Sequence, residues 1–148
     1  MSLKQYQTKR DFKKTSEPRG RLGDKGESRF VVQKHQASHL HYDFRLEMDG
    51  VLKSWAVPKG MPIEPQVKRL AVQVENHPID YMNFAGKIPE GEYGAGTVEI
   101  WDKGKFKLNK SSPDHLEFTL KSSKLSGDYV LIHTSGKNWI FIKRKVKL

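Results

Sequence analysis

The 148-residue sequence contains no cysteine. That excludes disulfides, a thiolate zinc site and a thiol nucleophile, and leaves His, Asp, Glu and backbone groups as the candidate metal ligands. Apolar residues make up only 36%, and no run approaches the roughly 18 residues that would span a bilayer. The N-terminal Met1-Ser2-Leu3-Lys4-Gln5 offers no apolar signal-peptide core. No stretch of ten or more residues shows a 3.6 period, so a helical domain is not expected. Gly-x-Ser-x-Gly and Lys-x-Asp-Gly motifs are both missing. The glycine-rich Gly91-Glu-Tyr-Gly94-Ala-Gly96 lacks the Lys-Ser/Thr and the helix that a phosphate-binding loop needs. Its expected job is a tight backbone approach before a strand at Thr97. Acidic residues are in the minority, 17 Asp and Glu against 27 Lys and Arg, for a formal net charge of +10.

What is there suffices for one domain, since domains usually run about 100–200 residues. Three Trp, five Tyr and seven Phe can build a core. The basic excess points to a polyanionic partner, most often nucleic acid, and with neither a spanning run nor a signal core a soluble, cytoplasmic protein is expected. The charge is uneven. Residues 1–29 hold nine basic and four acidic side chains, residues 30–101 seven and nine, and residues 102–148 eleven and four, giving +5, −2 and +7. Basic flanks thus surround a neutral centre that holds His35, His39, His41 and His77. That layout suits a protein that grips a polyanion at its ends and does chemistry in the middle, although charged runs are usually solvated faces.

Residues 1–28 read as an arm without a regular element, and residues 29–148 as the folded domain. Strand follows strand from Arg29: Phe30–Val32, His41–Met48, Val51–Val57, Leu70–Val74, Thr97–Trp101, Lys105–Leu108, Leu116–Leu120, Asp128–His133 and Trp139–Lys143. Asp49-Gly50 is a strong hairpin signal. Asp102-Lys103-Gly104 reads as a second hairpin turn. Short strands at regular spacing argue an all-β sandwich or barrel, and a closed barrel is preferred because it removes exposed edges.

Strand parity isolates one segment. Between residues 41 and 47, His41, Asp43, Arg45 and Glu47 share one face, and Tyr42, Phe44 and Leu46 the other. The apolar face must pack on the core, and the polar face lines solvent or a cleft. His35 lies six residues before His41, in the preceding loop or strand end. His-x5-His-x-Asp supplies two imidazoles and a carboxylate, a set suited to a catalytic Mn²⁺, Fe²⁺ or Zn²⁺ ion with open positions. Arg45 beside it suits the remaining oxygens of a phosphate, and His77 is a candidate to contact the same group. His39 shares the parity of His41 but is left out of the ligand set, because a surface His is the commoner case. Two other readings stand beside metal-assisted phosphate chemistry: a non-catalytic nucleic-acid-binding barrel, and a metal-dependent oxygenase with two His and one carboxylate. The second leaves Arg45 and the +10 charge unexplained.

The segments Phe30-Val-Val-Gln-Lys-His35, Leu40-His-Tyr-Asp-Phe-Arg-Leu-Glu47 and Asp49-Gly-Val-Leu-Lys-Ser-Trp-Ala-Val-Pro-Lys-Gly60 resemble the 3′-phosphoesterase domain of bacterial DNA ligase D and its stand-alone relatives. So do Lys68–Glu75, His77-Pro-Ile-Asp-Tyr81, Ile88–Gly96, Trp101–Gly104 and, upstream, Arg10-Asp-Phe12 with Thr15–Pro18. The resemblance covers residues 9–143, approximately the whole chain. It implies a compact β-barrel of about eight strands, with a surface active-site groove and the N-terminal arm folded onto it. It implies manganese-dependent trimming of DNA 3′ ends, with Zn²⁺ or Co²⁺ as other candidate metals. A diesterase step removes a terminal ribonucleoside, and a monoesterase step then removes the 3′-phosphate. The metal ligands would be His35, His41 and Asp43, with Arg45 and His77 on the scissile phosphate. Lys59, Arg69 and Tyr81 would be further active-site groups. Arg10, Asp11 and Glu17 would position the 3′-terminal nucleotide. The implied partners are DNA or DNA–RNA primer-template 3′ ends, with a ligase, polymerase or end-binding protein acting in trans. A monomer with no membrane contact is expected.

Overall fold

The computed structural model describes residues 2–19 and 28–145. Its strands are β1 (Arg29–Gln36), β2 (Leu40–Met48), β3 (Val51–Val57), β4 (Lys68–His77), β5 (Gly86–Ile88), β6 (Gly96–Ser112), β7 (His115–Lys121), β8 (Ser126–Ser135) and β9 (Asn138–Lys143). All pair antiparallel in the order β1-β2-β3-β4-β9-β8-β7-β6-β5, and an additional β1–β6 ladder closes eight of them into a barrel. β5 is an extra strand beyond the ring, paired to β6. The fold is the expected all-β barrel. It consists of two four-stranded meanders, β1–β4 and β6–β9, joined along two seams, β4–β9 and β1–β6.

The expected Asp49-Gly50 hairpin is present, with Met48 opposite Val51 and both turn residues at positive φ, 56° and 79°. Alternation then sorts β2. Phe44 and Leu46 enter the barrel interior with Phe30, Trp55, Phe118, Tyr129 and Phe141. A second apolar cluster lies outside the barrel wall, where Tyr6, Tyr81, Met82 and Phe84 cover Val31, Leu52 and Val98. Tyr6 belongs to a short helix, α1 (Lys4–Thr8). Tyr81 and Met82 belong to a 3-10 helix, Ile79–Asn83. These two elements roof the outer face of β1–β4.

Two expectations need correction. The arm is not without regular structure, because α1 forms and buries Tyr6 fully; positions 20–27 of the arm lie outside the described residues. Asp102-Lys103-Gly104 is not a turn, since β6 runs unbroken through it. Val32 pairs with Asp102 but Gln33 with Ile100, so Trp101 is an extra, bulged residue. The bulge reverses parity. Val98 lies in the outer cluster, whereas Phe106 points into the interior. Asp102 is buried and accepts hydrogen bonds from the hydroxyls of Ser122 (2.5 Å) and Ser123 (3.3 Å). Gly104 serves close approach instead of a turn, because a Cβ there would lie 2.2 Å from the Lys121 carbonyl oxygen. The expected tight approach before Thr97 is real: a Cβ on Gly96 would lie 2.1 Å from the Gln36 carbonyl oxygen.

Candidate metal and phosphate site

The β1–β2 hairpin builds the centre of the site. Its register sets His35 opposite His41, Gln33 opposite Asp43 and Val31 opposite Arg45. His35 therefore lies within a strand, directly across from His41, with ring centres 4.7 Å apart. The Asp43 carboxylate lies 3.5 Å from His35 Nδ1 and 3.2 Å from His41 Nε2. One ligand atom from each of the three residues falls within 4.8 Å of the others. The outer ring nitrogens face backbone carbonyls, His35 Nε2 that of Gly94 at 2.7 Å and His41 Nδ1 that of His39 at 3.3 Å. With those carbonyls as acceptors for the outer N–H groups, both inner nitrogens point at Asp43, the orientation a divalent cation would use once it displaces their protons. The residues present thus fit a metal ion with two nitrogen ligands and one oxygen ligand.

Arg45 is buried beside this group, its Nη2 3.6 Å from the Asp43 carboxylate. Its Nε donates to Gln33 Oε1 at 2.7 Å, and the Gln33 amide donates in turn to the carbonyls of Tyr81 (2.7 Å) and Phe84 (3.0 Å). Nη1 of Arg45 is buried with no hydrogen-bond partner. An unsatisfied guanidinium N–H next to a metal-ligand set is the group an anionic oxygen would satisfy.

β4 completes one wall through a second bulge. Ser54 pairs with Val74 and Leu52 with His77, so two β4 residues, Glu75 and Asn76, oppose Lys53. Without the extra residue, Glu75 and His77 would share the interior face of Ala71. With it they line the same cavity as His35, His41, Asp43 and Arg45, about 320 Å³ in volume. The arm supplies the roof. Arg10 reaches Glu17 at 3.0 Å, Glu75 at 3.3 Å and His77 Nε2 at 3.4 Å, while its guanidinium lies 3.9 Å from the centre of the Tyr6 ring. The Tyr81 hydroxyl donates to Glu17 at 2.5 Å.

The electrostatics follow from this packing. Burial alone would raise the Asp43 carboxyl, but the hydrogen bonds from His35 and His41 and the charge of Arg45 hold it far below the usual carboxylate range. The hydrogen bond to Asp43 raises His41 against the opposing effect of burial. Burial, reinforced by the charges of Arg45 and Arg10, keeps His77 well below its ordinary value and hence neutral. Burial also pushes Tyr81 up, with Glu17 adding to the effect.

Of the residues singled out from sequence, His35, His41, Asp43, Arg45, His77, Tyr81, Arg10 and Glu17 line the cavity. Asp11, Lys59 and Arg69 do not. Asp11 is exposed and accepts from the Lys13 N–H at 3.0 Å. Lys59 is exposed beyond β3, and Arg69 is the second residue of β4, opposite Phe141. Glu47 shares the face of Asp43 but pairs with Arg29 at 2.9 Å. His39 is exposed and stands outside the ligand cluster. Gln33 and Glu75 were not anticipated. Parity with His35 is a signal for Gln33, whereas Glu75 depends on the bulge.

A family model described as the DNA Ligase D 3′-phosphoesterase domain matches residues 33–133. The multifunctional non-homologous end joining protein LigD of Pseudomonas aeruginosa is 53% identical across 97% of this chain. The LigD proteins of Mycolicibacterium smegmatis and Mycobacterium tuberculosis are 46% and 45% identical across 97% and 93% of it. The chain spans only 18–20% of the length of these relatives. A family match over most of the barrel, together with these identities, establishes that the chain belongs to the DNA ligase D 3′-phosphoesterase domain family.

Proposed function

We propose that this protein is a divalent-metal-dependent phosphoesterase that heals DNA 3′ ends in non-homologous end joining. It would remove a 3′-terminal ribonucleoside and then the remaining 3′-phosphate. The observation that carries this reading is the convergence of His35, His41 and Asp43 beside the buried Arg45, whose Nη1 has no hydrogen-bond partner, in a chain of a phosphoesterase family. His35, His41 and Asp43 would hold the ion, with Mn²⁺ proposed first and Zn²⁺ or Co²⁺ as alternatives, since imidazole and carboxylate ligands suit all three. When bound, the ion supplies Lewis-acid polarisation of a phosphoryl oxygen and a lowered pKa for bound water.

The chain's own residues do the rest. Arg45 neutralises charge that develops on the phosphoryl oxygens, and Gln33 holds it in place to do so. His77 donates from Nδ1 to the Glu75 carbonyl at 2.9 Å, which leaves Nε2 as an acceptor toward Arg10 and the cavity. A neutral imidazole in that tautomer accepts a proton or hydrogen bond, for example from a ribose 2′-hydroxyl, and is not an acid. Arg10 and Glu17, fixed through Tyr81, would position the terminal nucleotide, and the arm would thereby belong to the active site. For Asp11, Lys59 and Arg69 the family resemblance is the support. A ligase, polymerase or end-binding protein would be its partner, and the enzyme would be a monomer. No helix among the described residues is long and apolar enough to cross a membrane.

The test is a labelled primer-template ending in one ribonucleotide, incubated with Mn²⁺ or with EDTA. Conversion to a 3′-phosphate and then a 3′-hydroxyl is expected with the metal only, and His41→Ala should lose both steps while melting cooperatively. Full manganese-dependent trimming by His41→Ala would sink the assignment. Salt-sensitive binding without any product would favour a non-catalytic nucleic-acid-binding barrel.

A further inference from the structure

A second, larger cleft of about 660 Å³ adjoins the metal and phosphate site. Four lysines line it: Lys4 and Lys9 from the arm, Lys53 from β3 and Lys137 from the β8–β9 turn. Its one carboxylate, Glu75, is already engaged by Lys9 at 3.2 Å and Arg10 at 3.3 Å. Lys53 reaches the exposed Asp49 at 3.7 Å, a solvent-screened contact. Lys4 and Lys137 have no ion-pair partner among the described residues. Lysines from both basic flanks of the sequence, Lys4 and Lys9 from the first and Lys137 from the last, therefore meet in one concave place.

Tyr93 joins the two cavities. It lines both, together with Val74 and Glu75. It is the one aromatic among the exposed large apolar side chains of the described residues. Lys9 Nζ and the Arg10 guanidinium lie 4.8 and 5.3 Å from its ring centre. An exposed ring between a phosphate-type site and a lysine-lined cleft matches the way unpaired strands are held without sequence preference. Bases stack on the aromatic, and point charges track the phosphates.

We infer that this cleft is the track for the strand whose 3′ end enters the metal site. Tyr93 stacks a base adjacent to the scissile phosphate, and Lys4, Lys53 and Lys137 hold phosphates further along the same single strand. The inference rests on the 3′-phosphoesterase reading and adds to it a place for the nucleotides that are not cut.

Binding, not turnover, tests it. The anisotropy of a short labelled DNA strand bearing a 3′-phosphate would be measured with the full chain, in EDTA and in Mn²⁺, over a series of salt concentrations. Two triple variants remove equal charge: Lys4→Gln with Lys53→Gln and Lys137→Gln in the cleft, and Lys105→Gln with Lys107→Gln and Lys121→Gln on β6 and β7, which line neither cavity. Thermal melts verify that each folds. The cleft variant should bind roughly tenfold more weakly, and its salt dependence should flatten by about two units of slope, since each phosphate contact on a single strand contributes about 0.7. The distal variant should change both quantities far less. Tyr93→Ala should cost roughly tenfold and Tyr93→Phe very little, because stacking needs the ring and not the hydroxyl. Equal losses in the two triple variants, or an unchanged affinity in the cleft variant, would overturn the track. If the binding pattern holds but wild type trims no 3′ end with any metal, the esterase reading fails and the track stands. Normal trimming without the binding pattern fails the track alone.

Discussion

The two faces of β2 are equally buried but held by different physics. Toward the interior, Phe44 meets four aromatic rings, those of Phe141, Phe118, Phe30 and Trp55, at 4.9–6.3 Å. One residue away on the outer face, Asp43 and Arg45 are no more exposed than a core side chain, but each is placed by directional partners. Interior packing is non-directional and scales with the area removed from water. The outer face is a network in which the cost of a change depends on which charge or donor is left without its partner. Burial alone therefore does not identify the core of this protein.

The largest effect expected from breaking this contrast is inside. Phe44→Ala should cost about 3–5 kcal/mol in denaturant unfolding, because the surrounding rings cannot collapse into the space. A loss below about 1 kcal/mol would mean that the interior repacks and is not the rigid partner in the comparison. Outside, Arg10→Met leaves Glu17 and Glu75 as neighbouring buried carboxylates and should cost about 3 kcal/mol. Adding Glu17→Gln should recover much of that loss, as measured in a double-mutant cycle. No recovery would show that the arm is held by the packing of Tyr6 and not by its ion pairs.

The smallest expected effect separates the faces by pH. His77 is neutral in the fold, disfavoured as a cation first by burial and then by Arg45 and Arg10, against the smaller favourable effects of the Glu75 carbonyl and Asp43. Its folded pKa is depressed, so the unfolded chain binds the proton first as pH falls. This contribution to stability is complete above about pH 6.5 and declines below it. The melting temperature of wild type should fall from about pH 7 to pH 5 more steeply than that of His77→Gln. Parallel profiles would remove His77 from the network.

The parts legible in sequence are those set by local pattern. The metal-ligand group spans nine residues of one hairpin, and strand parity alone aligns His41, Asp43 and Arg45. The turn at Asp49-Gly50 follows from its positive φ values. The parts that were not legible share one cause, the β-bulge. In β6 the bulge at Trp101 sits beside an Asp-Lys-Gly sequence that is also good turn chemistry, and its pairing with the distant β1, Val32 to Phe30, decides for a strand. In β4 the bulge carries Glu75 and His77 to the outer face, against the alternation begun by Ala71. A period of two describes a strand only until an extra residue reverses it, and that residue is fixed by a partner strand elsewhere in the chain. The roofing by α1 was hidden for a related reason, since a five-residue helix is too short to show periodicity and is stabilised by the face it covers.

The division of the barrel into two meanders has a kinetic consequence. Within each meander every pairing is a sequence-adjacent one, but the β4–β9 and β1–β6 seams join segments roughly 70 residues apart, where loop-closure entropy slows association. The β1–β2 hairpin can form early with its three ligand residues already in register. Until both seams zip, however, each meander exposes two unpaired edges, and the vulnerable species for misassembly is the half-closed barrel, not the unfolded chain.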